Sequence, residues 1–237
     1  FRRMVSRGRR YSLLVLFLVR LADGMFVGVG KAAATGPPND YVMMGMAKSG
    51  QIGKGLHLRL YAYAFVFDDG RNRATFVNLD AGMVGHVVKK RALEAVGMKS
   101  LYNATNVIVS GTHTHSGPSG FLQHSIFQLA GSGWVPQVID AMASGIANAI
   151  LRAHDDVEAQ ITLGRRRRLG IGNGALRDAS INRSPSAYLL NPHEERASYD
   201  DDTDDDFVVL AIYDNEDSLV GMNAWFAVHG TSMNNTN

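Results

Sequence analysis

Two histidines stand two residues apart at the end of an apolar segment. Residues 107–109 (Val-Ile-Val) are β-branched and favour extended backbone, and they lead into Thr-His-Thr-His-Ser-Gly-Pro, which contains His113 and His115. If the strand continues through Thr114, the two side chains point to the same face, with Cβ atoms about 6.5–7 Å apart. One zinc ion could then bind one or both imidazoles. The spacing alone fits equally well with two histidines that only hydrogen-bond near the end of a strand.

A second apolar segment ends in the same way. Residues 224–228 are apolar, His229 follows, and Gly230 and small polar residues come next. Loops that leave the ends of strands are where binding residues commonly lie. Two strands that both end in histidine therefore favour a metal site at the edge of a sheet.

Composition limits the ligands that such a site could use. The 237 residues include no cysteine, so histidine and carboxylate must carry any metal chemistry, and disulfides are excluded. The net charge of +2 gives no reason to expect a nucleic acid partner, and no feature of the sequence predicts a protein partner. A hydrophobic content of 46% is ordinary for a globular protein with a sizeable core.

Charge is nevertheless segregated locally. Residues 165–168 are four consecutive arginines, and residues 200–206 are aspartates interrupted only by Thr203. Solvated surface loops are the expected structure for both runs. The alternatives are a lipid-headgroup patch for the arginines and a cation site for the aspartates.

The first residues have the pattern of a secretory signal peptide. Arg9 and Arg10 precede the apolar residues 13–19, and Ala22 and Gly24 are small residues suited to cleavage. The apolar run is shorter than the roughly 20 residues needed to span a bilayer. We expect residues 1–24 to be a signal peptide and the protein to be secreted or exposed at the cell surface; a buried N-terminal element is the alternative. A first residue other than methionine, and an end at Asn237 within a polar loop, predict a fragment.

Apolar periodicity predicts interleaved strands and helices. Strands are expected at residues 25–30, 58–67, 74–79 and 107–109, and again at 161–163, 207–213 and 219–228. Helices are expected at residues 84–96, with Gly97 as the C-cap, and at 135–153. The pattern lacks a clean βαβ period, so the predicted fold is mixed α/β, with mixed β-sheets flanked by helices. No linker marks a second domain after residue 25.

Several blocks resemble those of a known family. The strings GTHTHSGPSGF (residues 111–121), INRSPSAYLLNP (181–192) and WFAVHGTSMNNTN (225–237) are similar to hallmark blocks of the neutral ceramidase family. TGPPNDYVMMGMA (35–47) and RLYAYAF (59–65) resemble its N-terminal blocks. The resemblance runs in order from about Met25 to the last residue. It implies that residues 25–237 are the N-terminal, incomplete part of the catalytic domain.

The resemblance also implies an activity and a set of site residues. The family hydrolyses the amide bond of ceramide (N-acylsphingosine) to sphingosine and a free fatty acid, using one zinc ion, on a sphingolipid substrate at a membrane surface. His113 and His229 match its zinc-binding histidines. His115 matches a histidine beside the metal, and Arg183 an active-site arginine, so these two are the predicted catalytic residues. For Arg183, a structural pair with a carboxylate is the alternative.

Parts of the family pattern are missing or uncertain. Its other two zinc ligands, a glutamate and a tyrosine, and its active-site serine would lie beyond Asn237. Ala33 stands where the family usually has an acidic residue. The block around His57 implies a backbone contact to a second, structural cation, Ca²⁺ or Mg²⁺, although an ordinary strand histidine is the simpler interpretation.

Two other functions fit the same residues. One is a truncated, non-catalytic relative that binds lipid or metal, and the other is an amidase for other N-acyl lipids. The coding sequence past Asn237 would distinguish the first from a ceramidase, and substrate assays would distinguish the second.

Overall fold

The computed structural model describes residues 20–131, 133–230 and 233. The apolar part of the predicted signal peptide, residues 13–19, lies outside this range. Within it, no helix combines the length and the apolar character that crossing a membrane requires. The elements are β1 (Arg20–Ala33), β2 (Asn39–Val42), β3 (Ile52–Lys54), β4 (Tyr61–Asp68), β5 (Arg73–Leu79), α1 (His86–Val96), β6 (Val107–Gly111), α2 (Ser125–Ala130), α3 (Pro136–Thr162), β7 (Arg167–Ala175), α4 (Pro185–Tyr188), α5 (His193–Arg196), β8 (Asp206–Tyr213) and β9 (Leu219–Phe226).

The described part of the chain forms a seven-stranded sheet in the order β6-β5-β4-β1-β7-β8-β9 and a separate two-stranded sheet of β2 and β3. β4 pairs antiparallel with β1 and β5, whereas β5 and β6 are parallel. The predicted mixed sheet flanked by helices is confirmed. The chain divides into two compact units, a larger one with Ala22–Leu169, Ile212–Gly221 and His229, and a smaller one with Gly170–Ala211 and Met222–Val228.

Helix α3 packs against β1 at unusually short range in the larger unit. A Cβ atom on Gly28 would lie 1.9 Å from the Ala153 carbonyl oxygen, and one on Gly30 would lie 2.2 Å from that of Ala149. Any side chain at these positions would push the helix off the sheet. α1 and α3 share one apolar core with β4, β5 and β6, and this core includes Val66, Val77, Val88, Val107, Ile146 and Ile150.

The opposite face of the larger unit carries a second, smaller core. It consists of Val27, Phe65 and Ile212, with partly buried aromatic and aliphatic residues around them. Alternation along β4 explains both cores, because Ala62, Ala64 and Val66 face the helices and Phe65 points the other way.

The segment β5–α1–β6 determines where the site can form. The two strands are parallel and are joined through α1, whose C-cap Gly97 has a left-handed φ of 72° and an N–H that donates to the Leu93 carbonyl. The predicted helix and its C-cap are confirmed. Since parallel strands end at the same edge, the loops after Leu79 and Gly111 leave the sheet side by side, the usual place for a site in such a unit.

Two local predictions are wrong. Residues 161–163 do not form a strand: Ile161 extends the face of α3 that packs on the core, and this packing outweighs the β-propensity of isoleucine and threonine. The basic run is not a solvated loop throughout, because Arg167 begins β7 and is buried. Residues 200–205 do form an exposed or half-exposed loop before β8, as predicted.

Arg167 forms a bidentate ion pair with Asp156 of α3. Its Nη1 lies 2.5 Å from Asp156 Oδ2 and 2.8 Å from the Val27 carbonyl oxygen, and Nη2 lies 3.1 Å from Asp156 Oδ1. The same carboxylate accepts the Val29 backbone N–H at 2.8 Å. Arg167 therefore connects β7, β1 and α3.

Replacing Arg167 with alanine is expected to lower the free energy of unfolding by about 3 kcal/mol, because it leaves a mostly buried carboxylate without its cation. The matched control is Arg168→Ala, which removes an exposed pair with Asp217 and should cost at most about 1 kcal/mol. Urea unfolding of both variants measures the difference. Equal losses would show that the Arg167 pair does not fasten the helix to the sheet.

Candidate metal centre

His113 and His115 come together through a turn. β6 ends at Gly111, so the strand does not reach Thr114, and the expected alternation of side chains does not apply. Instead, His113 has a left-handed φ of 60°, a conformation that is uncommon for residues other than glycine. This turn places the two Nε2 atoms 3.2 Å apart and the ring centroids 4.8 Å apart.

His229 completes a cluster of three imidazoles. It follows the end of β9 at Phe226, and its ring centroid lies 4.9 Å from that of His113 and 4.6 Å from that of His115. One nitrogen from each ring lies within 4.8 Å of the others. His115 is buried at 4% exposure, His113 is half-buried and His229 is exposed. Among the described residues, this is the one group of three or more His, Asp or Glu side chains that could hold a metal ion.

A backbone carbonyl fixes the ring of His113. The Gly82 carbonyl oxygen lies 2.6 Å from His113 Nδ1, and because a carbonyl only accepts, Nδ1 must donate. Nε2 then carries a lone pair, which accepts a hydrogen bond from His115 Nε2 and could instead bind an ion, an arrangement typical of metal-binding histidines. Gly82 lies in the loop after β5, so the loops that leave the sheet side by side after β5 and β6 contact each other through this hydrogen bond. The sequence does not predict this role of Gly82, because every residue has a backbone carbonyl and the contact requires no particular side chain.

The donor set fits a zinc ion. Zn–N distances of about 2.0–2.1 Å put two tetrahedral nitrogen ligands roughly 3.3 Å apart, close to the observed separation between His113 and His115. Imidazole is a preferred ligand of zinc, and the chain has no thiolate to compete. His115 lies near enough to be either a ligand or a neighbour of the ion.

A pocket of about 540 Å³ adjoins the histidine turn. Thr114 and Ser116, which alternate with the two histidines, line it together with Tyr41 and Asp80. Burial raises the pKa of Asp80, whose carboxylate accepts the Tyr61 backbone N–H. The pocket is thus partly apolar, with polar groups beside the loop that carries the histidines.

Two residues predicted from the sequence are not part of the cluster. Arg183 lies in the smaller unit, exposed, two residues before α4. No ion pair of Arg183 is seen among the described residues, and both its catalytic role and the structural pair with a carboxylate stay predictions. His57 is exposed and lines the pocket; the contact of its block with a structural Ca²⁺ or Mg²⁺ also stays a prediction.

Comparison with known proteins identifies the family. Residues 25–237 match the sequence model described as neutral/alkaline non-lysosomal ceramidase, N-terminal. The chain belongs to the neutral/alkaline ceramidase family. The matched residues include the sequence blocks described above and their three histidines.

Relatives and a solved structure agree with this assignment. The chain is 44% identical over 230 residues to the neutral ceramidase of Drosophila melanogaster, covering 95% of this chain and 32% of the relative. It is 40% identical over 228 residues to the neutral ceramidase of Oryza sativa subsp. japonica, covering 95% and 28%. The crystal structure of neutral ceramidase from Pseudomonas aeruginosa superposes with a TM-score of 0.79 at 35% identity, over 90% of this chain and 33% of that one. The chain thus spans about a third of the length of these ceramidases.

Proposed function

We propose that the full-length protein hydrolyses the amide bond of ceramide to sphingosine and a free fatty acid, with a zinc ion held by His113, His229 and ligands outside this chain. The observation that carries the proposal is the cluster of three imidazoles at the edge of the sheet, in a chain of the neutral/alkaline ceramidase family. The names of the relatives support the substrate class.

The residues of the chain divide into distinct roles. A bound zinc ion lowers the pKa of its water to about 7 and polarises a carbonyl, as amide hydrolysis at neutral pH requires. His113 and His229 would hold the ion, and the Gly82 carbonyl keeps His113 in the tautomer that presents Nε2. His115 would move a proton, and the role proposed for Arg183, hydrogen bonding to the oxyanion or a substrate hydroxyl, rests on the resemblance of its block to the family.

The proposed substrate implies a location. Ceramide resides in membranes, so the protein is expected to work at a membrane surface, and the pattern of residues 1–24 supports entry into the secretory pathway. No step of the proposed chemistry requires nucleic acid, a protein partner or the structural Ca²⁺ or Mg²⁺.

Purified full-length protein should release fatty acid from a fluorescent ceramide, lose this activity to a chelator and regain it with zinc. Assays with other N-acyl lipids, such as N-acylethanolamines, test the alternative amidase function in the same preparation. A zinc-loaded, folded protein that cleaves those lipids but not ceramide would overturn the proposed substrate. A protein that cleaves neither would support the non-catalytic alternative.

A further inference from the structure

Gly45 lies directly against the imidazole of His115. Its φ is +92°, and a Cβ atom at this position would lie 2.6 Å from His115 Nε2, 2.7 Å from Cδ2 and 2.8 Å from Cε1. Real Cβ atoms essentially never approach other heavy atoms within 3.0 Å. Only a residue without a side chain leaves the ring of His115 where the structure has it.

The backbone that carries Gly45 is fastened to the histidine loop. The Met44 N–H donates to the Gly117 carbonyl at 2.9 Å, and the Ser119 N–H donates to the Val42 carbonyl at 3.0 Å. An isolated β-bridge joins Met43 to Pro118 between these two bonds. A side chain at position 45 therefore could not be accommodated by moving this segment away without breaking several backbone contacts.

The ring of His115 is buried and flanked by two other rings. It is 4% exposed, and the rings of His113 and His229 lie 4.8 and 4.6 Å from it, centroid to centroid. Because the three distances are nearly equal, a methyl group on residue 45 would press on the face of the ring beside Nε2, the atom 3.2 Å from His113 Nε2. The collision would fall on the atom closest to the proposed metal position.

We propose that Gly45 is a positioning residue, which holds the imidazole of His115 in the cluster by providing a wall of bare backbone. This inference rests on the proposed function of the cluster for its effect on catalysis, and on the packing alone for its effect on stability. The residue acts through His115 and touches neither the substrate nor the ion.

The test compares Gly45→Ala with Gly70→Ala in the full-length protein. Gly70 is a matched control because its φ is +91° and no atom lies within 4 Å of its Cβ position, so it carries the same backbone strain without the collision. Gly45→Ala should lower kcat about 10–100-fold, since small displacements of a reacting group have effects of this size, with little change in KM. Gly70→Ala should keep wild-type kcat. Equal kcat in the two variants would overturn the inference.

A double-mutant cycle with His115→Ala separates positioning from a general structural role. Removal of the ring makes room for the methyl group, so Gly45→Ala should cause no further loss of kcat in the His115→Ala background. The melting temperature provides a readout that needs neither metal nor substrate. The loss in Gly45→Ala beyond that in Gly70→Ala should disappear once His115 is alanine.

Other outcomes are equally informative. If Gly45→Ala fails to fold but Gly45→Ala/His115→Ala folds, the inference is supported, because the ring is then the obstacle. Equal losses of stability with and without the ring would contradict it. A wild-type protein without ceramidase activity would count against the proposed function, and the stability cycle would still decide the role of Gly45.

Discussion

The full-length protein with His113→Ala, and likewise that with His229→Ala, is expected to lose its zinc on dialysis. Each variant lacks one imidazole of the cluster, and ligand number and geometry define a zinc site. Loss of a partner outside the first coordination sphere already costs about 10–100-fold in metal affinity, and loss of a ligand should cost more. Zinc per mole of dialysed protein, by atomic emission, measures the effect.

His193→Ala is the matched control for the zinc measurement. His193 is exposed on α5, in the smaller unit, and is not part of the cluster. This variant should keep wild-type zinc content. Near-stoichiometric zinc in both His113→Ala and His229→Ala would show that these histidines are not ligands.

Replacing His115 with alanine is expected to lower kcat by about 10²–10⁴-fold, the usual scale of general acid–base catalysis, with zinc retained. The ring is buried beside His113 and His229, so its loss removes a proton-transfer group next to the reaction without removing an assigned ligand. Steady-state kinetics on ceramide and zinc content in the same preparation test both parts. Circular dichroism verifies the fold, because truncating a buried ring leaves a cavity.

Two results would revise this role. Zinc loss in His115→Ala would make the residue a ligand, which its position close to Nε2 of His113 also permits. An unchanged kcat with zinc retained would leave His115 without a part in catalysis.

The features predicted correctly from sequence depend on local pattern. The alternation in β4 and β5, and the glycine after α1, indicate their structures because strand periodicity and left-handed caps depend on neighbouring residues. The three histidines of the cluster were found from short blocks at the ends of apolar segments. Both kinds of signal are contained in a few consecutive residues.

The features that sequence could not predict depend on contacts between distant segments. The loop with the positive φ of His113 contacts Gly82 through His113 and Gly45 through His115, and both glycines lie more than thirty positions earlier. The sequence predicts Arg167 to be a surface residue, but in the structure it is paired with Asp156 and with the backbone of β1. Residue types alone do not reveal such pairings.

The connection β5–α1–β6 has a consequence for the order in which the protein is made. Gly82, His113 and His115 lie in the loops before α1 and after β6, within 33 residues of one another, whereas His229 comes 116 positions after His113. At a synthesis rate of about 5–20 residues per second, His229 leaves the ribosome roughly 6–23 seconds later. A metal ion that needs both His113 and His229 therefore cannot assist the folding of β5–α1–β6 during this interval. Until His229 has been made, folding of β5, α1 and β6 depends on the apolar core that these elements share with α3 and β4.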